Sequence, residues 1–294
     1  MHFVSAGCSY SQVPNTDTAW PVHVQEAFKL SDDEVTHLGS GAIGNEMISR
    51  LVIYHVNNLL KSHKPEDLLV GIMWSGCDRE VVIQGQSKRI FEKATPIPEL
   101  KNISYEQFIV DKTRRAKDYR EVYNNPLSLA TNESIYYTLN SHWTDELTVT
   151  YYENFVDELS SIIKTCEHIL RTEWFLKNHN IKYFMTEYDI DVFLFGGVPN
   201  MNRHIYSANC PALGINSRGK NISNHPDVKY LYDMIDKSYW LPVNSLGEWA
   251  NQVSIYDYAR ERDPHPSTEQ HKDFTQQVIL PFLLKKYNIS QYNI

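Results

Sequence analysis

Three short apolar runs alternate with two helix-patterned stretches in the first 75 residues, and this rhythm constrains the fold more than any other feature. His2–Ala6 is an apolar run ending in Gly-Cys-Ser, which reads as a buried strand entering a turn. Trp20–Leu30 places Val24, Ala27 and Phe28 at helical spacing, and Glu34–Leu38 is a second strand ending in the Gly-rich turn Gly39–Gly44. From Asn45 to about Ser62 the apolar positions Ile48, Leu51, Val52, Val56, Leu59 and Leu60 recur on one helical face. Asp67–Trp74 is nearly continuous in apolar residues, as expected of a strand covered on both faces in a parallel sheet. Strands joined through helices in this order must pair in parallel, with the helices lying on the two faces. The expected fold is therefore a three-layer α/β/α domain with a mostly parallel sheet, built from strands at 2–6, 34–38, 67–74 and 181–186.

After Trp74 the rhythm breaks. A polar, Tyr-rich and Pro-punctuated segment at about 84–144 reads as an insertion or lid. A long helix from about Asp145 to His179 follows, then the strand 181–186, with Asp189–Gly196 apolar enough to extend or pair with it. The segment at about 199–224 is rich in Asn, Gly and Pro and reads as loop. Pro226–Lys237 and Ser245–Gln252 are short helices, and Ser267–Lys286 is a final packing helix. The whole of 1–294 is expected to be one domain carrying these insertions.

Composition narrows the function. The chain is 42% hydrophobic and 22% charged, enough apolar surface for a sizeable core. Its net charge of −8, with basic residues scattered apart from Lys112–Arg115 and Lys285–Lys286, argues against a nucleic-acid partner. Cys8, Cys77, Cys166 and Cys210 lie far apart with no CxxC pair, so neither a zinc ribbon nor a disulfide scaffold is expected. The N-terminus lacks the basic start and long apolar run of a signal peptide, and no stretch is long enough to span a bilayer. The reading is a soluble protein, cytoplasmic by default, with no membrane partner.

In an open parallel sheet, ligands bind at the carboxyl ends of the strands. The turns Gly7–Ser11, Gly39–Asn45 and Ser75–Arg79 arrive there, and the loop Arg262–Ser267 precedes the last helix and reaches the same edge. Ser9 sits on the first turn, where a hydroxyl is exposed and backbone N–H groups point at any oxyanion it generates; an ordinary turn serine is the plainer alternative. His265, stiffened by Pro264 and Pro266, is placed to act as a base, with Asp263 to orient it. A surface histidine and a Ser267 that merely caps the last helix are the alternatives there. Gly41 offers an N–H at close approach and Asn45 an amide as a second donor, unless both serve only to start a helix.

These blocks, in this order, resemble the SGNH hydrolases, also called GDSL-like esterases and lipases. That family has a Gly-Asp-Ser turn after the first strand, a Gly after the second, a Gly-x-Asn-Asp turn after the third, and Asp-x-x-His before the last helix. Gly7-Cys8-Ser9-Tyr10-Ser11 is similar to the first block, Gly41 (or Gly44) to the second, and His265-Pro266-Ser267 to the last. The resemblance covers roughly the first 80 and last 35 residues. It implies a flavodoxin-like SGNH fold, Ser9 as nucleophile and first oxyanion donor, Gly41 as second donor and His265 as base. Cys8 replaces the family's Asp, and Cys77 stands where its oxyanion Asn is expected. The acid, Asp263, lies two residues before His265 rather than three. Losing one oxyanion donor is worth about two to three orders of magnitude in rate, which Asn45 is placed to offset. Variants with such blocks look like those of phages and environmental bacteria.

The resemblance thus implies a cofactor-free, metal-free Ser-His-Asp hydrolase acting on a small-molecule or glycan ester, with release to water or a sugar hydroxyl. The Tyr-rich insertion suits a carbohydrate better than a long lipid chain, because aromatic faces stack on sugars. A second reading is a non-catalytic binding or structural module that retains the fold without a complete oxyanion hole. A third, metal-dependent hydrolysis through Asp263, His265 and His271 with His225, matches no established ligand spacing.

Overall fold

The computed structural model describes residues 1–13, 19–41, 43–77, 79–84, 135–140, 146–188, 225–243, 245–253 and 265–289. Contacts divide the chain into two units, one formed by Met1–Glu80 with Asn140–Ile294 and the other by Val81–Leu139.

The first unit is an α/β fold around a four-stranded parallel sheet. Its strands are β1 (His2–Gly7), β2 (Val35–His37), β3 (Leu68–Trp74) and, later in the chain, β6 (Lys182–Glu187). They lie in the order β2-β1-β3-β6, and each neighbouring pair is parallel. All six residues of β1 and all seven of β3 are buried, which accounts for their unbroken apolar sequences. The expected second strand begins later than its sequence suggests. Asp32–Glu34 forms a 3-10 turn closed by a reciprocal Ser31–Glu34 capping box, so only Val35–His37 pairs with β1.

Helices cover both faces of the sheet. On one side α1 (Trp20–Phe28) lays Trp20 across the strands, with its ring 6.1 Å from Phe3 and 5.7 Å from Phe184. Gly71 makes this possible: a Cβ there would come within 2.6 Å of Phe184 and 2.9 Å of Trp20. On the other side α2 (Asn45–Leu59) buries Met47, Ile48, Leu51, Val52 and Val56, the stripe expected from its sequence period. It packs against a long helix that in turn contacts Pro226–Met234.

The stretch expected as a single helix over 145–179 is two, α3 (Glu146–Phe155) and α4 (Glu158–Asn178). Asp157 separates them in an extended conformation and accepts the Ser160 N–H at 2.8 Å, capping α4. Beyond β6 come α5 (Pro226–Met234), α6 (Leu246–Val253) and α7 (Thr268–Phe274). The last continues through a π-helical turn, Thr275–Ile279, into α8 (Leu280–Tyr287).

The second unit is described at two strands, β4 (Arg79–Gln84) and β5 (Ile135–Asn140), which begin and end at its boundaries and pair as a separate two-stranded sheet. The remainder of the expected insertion, the segment 189–196 and the loop-rich segment 199–224 lie outside the described residues. Among the described residues, no helix is long and apolar enough to cross a membrane.

Candidate active site

The order β2-β1-β3 puts a topological switch point between β1 and β3, one crossover leaving β1 toward β2 and the next returning to β3. In such sheets the ligand crevice lies at the carboxyl ends of these strands. Ser9 follows β1 on the 3-10 turn Ser9–Ser11, which is closed by Ser11 N–H donating to Cys8 O at 2.9 Å. Gly7 lets the strand enter the turn. Its φ is +157°, and a Cβ there would press on Ser11 Oγ and lie 2.7 Å from Met73 O. Ser11 is buried and accepts the indole N–H of Trp20 at 2.8 Å, so the turn is anchored to the layer beneath it.

His265 approaches from the other end of the chain. Its backbone is set by the start of α7, where Ser267 and Gln270 form a reciprocal capping box and Gln270 also donates to Ala250 O at 3.0 Å. This places His265 Nε2 2.7 Å from Ser9 Oγ. With the ring proton on Nδ1, the serine hydroxyl donates to Nε2, the geometry required for a base that removes its proton. The imidazole is exposed and Ser9 half-buried, so the pair is open to a reactant from solvent.

The turn after β2 packs directly on this one. Ser40 N–H donates to Gly7 O at 3.0 Å, and a Cβ on Gly39 would overlap the Ser11 carbonyl. Gly41 follows, with the Gln12 side chain 3.1 Å from where its own Cβ would stand. Gly41 therefore lies beside Gln12, the residue that follows the serine turn. As first residue of a helical turn, Ser9 has no intrahelical acceptor for its N–H.

Asn45 does something other than what the sequence suggested. Its amide nitrogen donates to Ser75 O at 2.9 Å and to Thr165 Oγ1 at 3.2 Å, while Oδ1 accepts the Ser75 N–H at 2.8 Å. Both amide hydrogens are committed inside the protein and the side chain is buried, so Asn45 fixes the turn after β3 and is not an oxyanion donor. Cys77 is buried two residues beyond Ser75. Asp263 and Asp78 lie outside the described residues.

An aromatic column runs along one side of the serine–histidine pair and was not singled out from the sequence. The Tyr10 ring lies 5.0 Å from His265, 5.2 Å from Tyr188 at the end of β6, and 6.5 Å from His271 on α7. The Arg79 guanidinium covers Tyr188 at 4.5 Å and donates to Ser75 Oγ at 2.8 Å. The only signal in the sequence was an aromatic residue next to the candidate nucleophile.

His271 is buried beneath Tyr10 and accepts the Trp20 backbone N–H on Nδ1 at 3.3 Å. Burial, reinforced by the neighbouring His23 and His265, pushes its pKa down to about 3. A nitrogen committed to the backbone in this way does not suit the ligand role considered for it. Among the described residues no group of three or more His, Cys, Asp or Glu side chains is placed to hold a metal ion. No family model, curated protein or solved structure matches the chain.

Proposed function

We propose that the protein is a serine hydrolase that cleaves an ester, with Ser9 as nucleophile and His265 as general base. The observation that carries this reading is the 2.7 Å contact between Ser9 Oγ and His265 Nε2 across 256 positions of sequence, at the switch-point edge of a parallel sheet. His265 takes the hydroxyl proton as Ser9 Oγ attacks the ester carbonyl. The tetrahedral oxyanion is held by the N–H groups of Ser9 and Gly41. His265 then passes the proton to the departing alcohol, leaving an acyl-enzyme. Water, or the hydroxyl of a sugar acceptor, enters by the reverse of these steps and releases the acyl group. Asp263 is the proposed acid, orienting His265 through Nδ1, and a small or glycan ester is the proposed substrate.

The commitment of Asn45, together with Cys77 in the position of the family's Asn, favours a second reading: a binding module with the fold and the Ser–His pair but without a side-chain oxyanion donor. Hydrolysis of p-nitrophenyl acetate separates the two. The hydrolase reading expects turnover that Ser9→Ala abolishes while the circular-dichroism spectrum and melting temperature stay unchanged. Absent turnover, or equal turnover in wild type and Ser9→Ala, leaves the binding module.

A further inference from the structure

We infer that Tyr10 is a positioning residue for the His265 imidazole, holding the ring so that Nε2 stays on Ser9 Oγ. The inference rests on the hydrolase reading for its catalytic consequence, but the contact itself does not depend on it. His265 is exposed, and the capping box at the start of α7 fixes its backbone without fixing its side-chain rotation. The position of Nε2 on the hydroxyl matters, because a displacement of about 1 Å at a reacting pair costs on the order of a hundredfold in rate.

Tyr10 adds a ring contact to the Ser9 hydrogen bond that the imidazole already makes. Its ring meets the imidazole at 5.0 Å with the planes tilted by 55°, within the range of favourable aromatic contact. Only 4% exposed, Tyr10 is itself braced: the Tyr188 ring stands edge-on to it at 5.2 Å and the His271 ring edge-on at 6.5 Å. Tyr188 is tied on both sides of its peptide, its N–H donating to Trp74 O at 3.0 Å and its carbonyl accepting Gly247 N–H at 2.9 Å. The Arg79 guanidinium covers its ring at 4.5 Å. The brace therefore runs from the ends of β3 and β6 to the candidate base. Because Ser9 and Tyr10 are consecutive on one 3-10 turn, the same backbone delivers both the hydroxyl and the ring to one imidazole. Any shift of that turn carries nucleophile and clamp together.

The test compares Tyr10→Phe, which keeps the ring, with Tyr10→Leu, which removes it, in the full chain. The first readout is the His265 Cε1–H resonance, assigned by its disappearance in His265→Gln. Tyr10→Phe is expected to leave this resonance near its wild-type position, while Tyr10→Leu shifts it through loss of the adjacent ring current. The second readout is ester turnover: Tyr10→Leu is expected to lower kcat about tenfold with little change in KM, and Tyr10→Phe to restore most of that loss. A His265 resonance unmoved in Tyr10→Leu, or an equal kcat loss in both variants, overturns the inference. If the resonance moves while the wild type shows no turnover, the contact stands and the hydrolase reading falls. Should Tyr10→Leu fail to fold, Tyr188→Leu loosens the brace from behind, and an unmoved His265 resonance there overturns the inference equally.

Discussion

Asn45 shows how a residue that looks chemical can be structural. Its amide makes three hydrogen bonds, two of them to the backbone of Ser75, and with them it ties the start of α2 to the end of β3. Asn45→Ala would strand a buried N–H and a buried carbonyl, each costing about 1–3 kcal/mol. The expected result is a fall of several degrees in melting temperature, checked by differential scanning calorimetry; an unchanged melting point contradicts this role. Nothing in the sequence distinguished the two parts, because the partners of Asn45 are the main chain of Ser75, 30 residues away, and the Thr165 hydroxyl, 120 residues away. Ser9 and His265 could be picked out because each lies at a position where strand or helix chemistry exposes a side chain, and because their blocks follow a known order. Tyr10 carries no such mark, because an aromatic beside a turn serine reads as ordinary core.

At the level of elements, legibility followed burial. β1 and β3 could be placed from their apolar runs alone because both faces of each are covered. The break between α3 and α4 could not, since the apolar period continues across Val156 and Asp157 and only the extended backbone of Asp157 ends the helix. The close passage at Gly71 was equally hidden, because a glycine inside an apolar run gives no hint of an indole lying on it. Gly71→Ala forces a methyl group against Phe184 and Trp20, neither of which can retreat from the core. Overpacking of this kind typically costs about 1–3 kcal/mol. Urea denaturation should show a lower midpoint with an unchanged slope, and an unchanged midpoint would mean that the sheet and α1 have room to separate.

Across the whole molecule, the first unit has a consistent titration behaviour. Burial lowers the pKa values of His2, His37, His55, His168 and His271, the last two to about 3. Each stays neutral in the folded protein at pH values where the unfolded chain, titrating near 6.5, takes up a proton. The unfolded state therefore binds more protons, and stability falls as the pH drops from about 6.5 toward 5. A fully depressed histidine adds about 1.4 kcal/mol per pH unit to this slope. Urea unfolding at pH 7.5, 6 and 5 should show the decline, and His271→Asn should reduce its slope; stability independent of pH over this range contradicts the burial of these rings. The layered α/β/α arrangement was readable from the alternation of runs, and the approach of the Ser9 turn and the His265 loop to one sheet edge from the rule for parallel sheets; the distance between the two side chains was not. The meeting of Ser9 with His265 is the central claim, and reaction with a fluorophosphonate probe followed by peptide mass spectrometry tests it most directly. The account predicts a single adduct on Ser9, absent in Ser9→Ala and formed at least about a hundredfold more slowly in His265→Ala. No adduct on Ser9, or labelling of Ser9 at the same rate in His265→Ala, would contradict it.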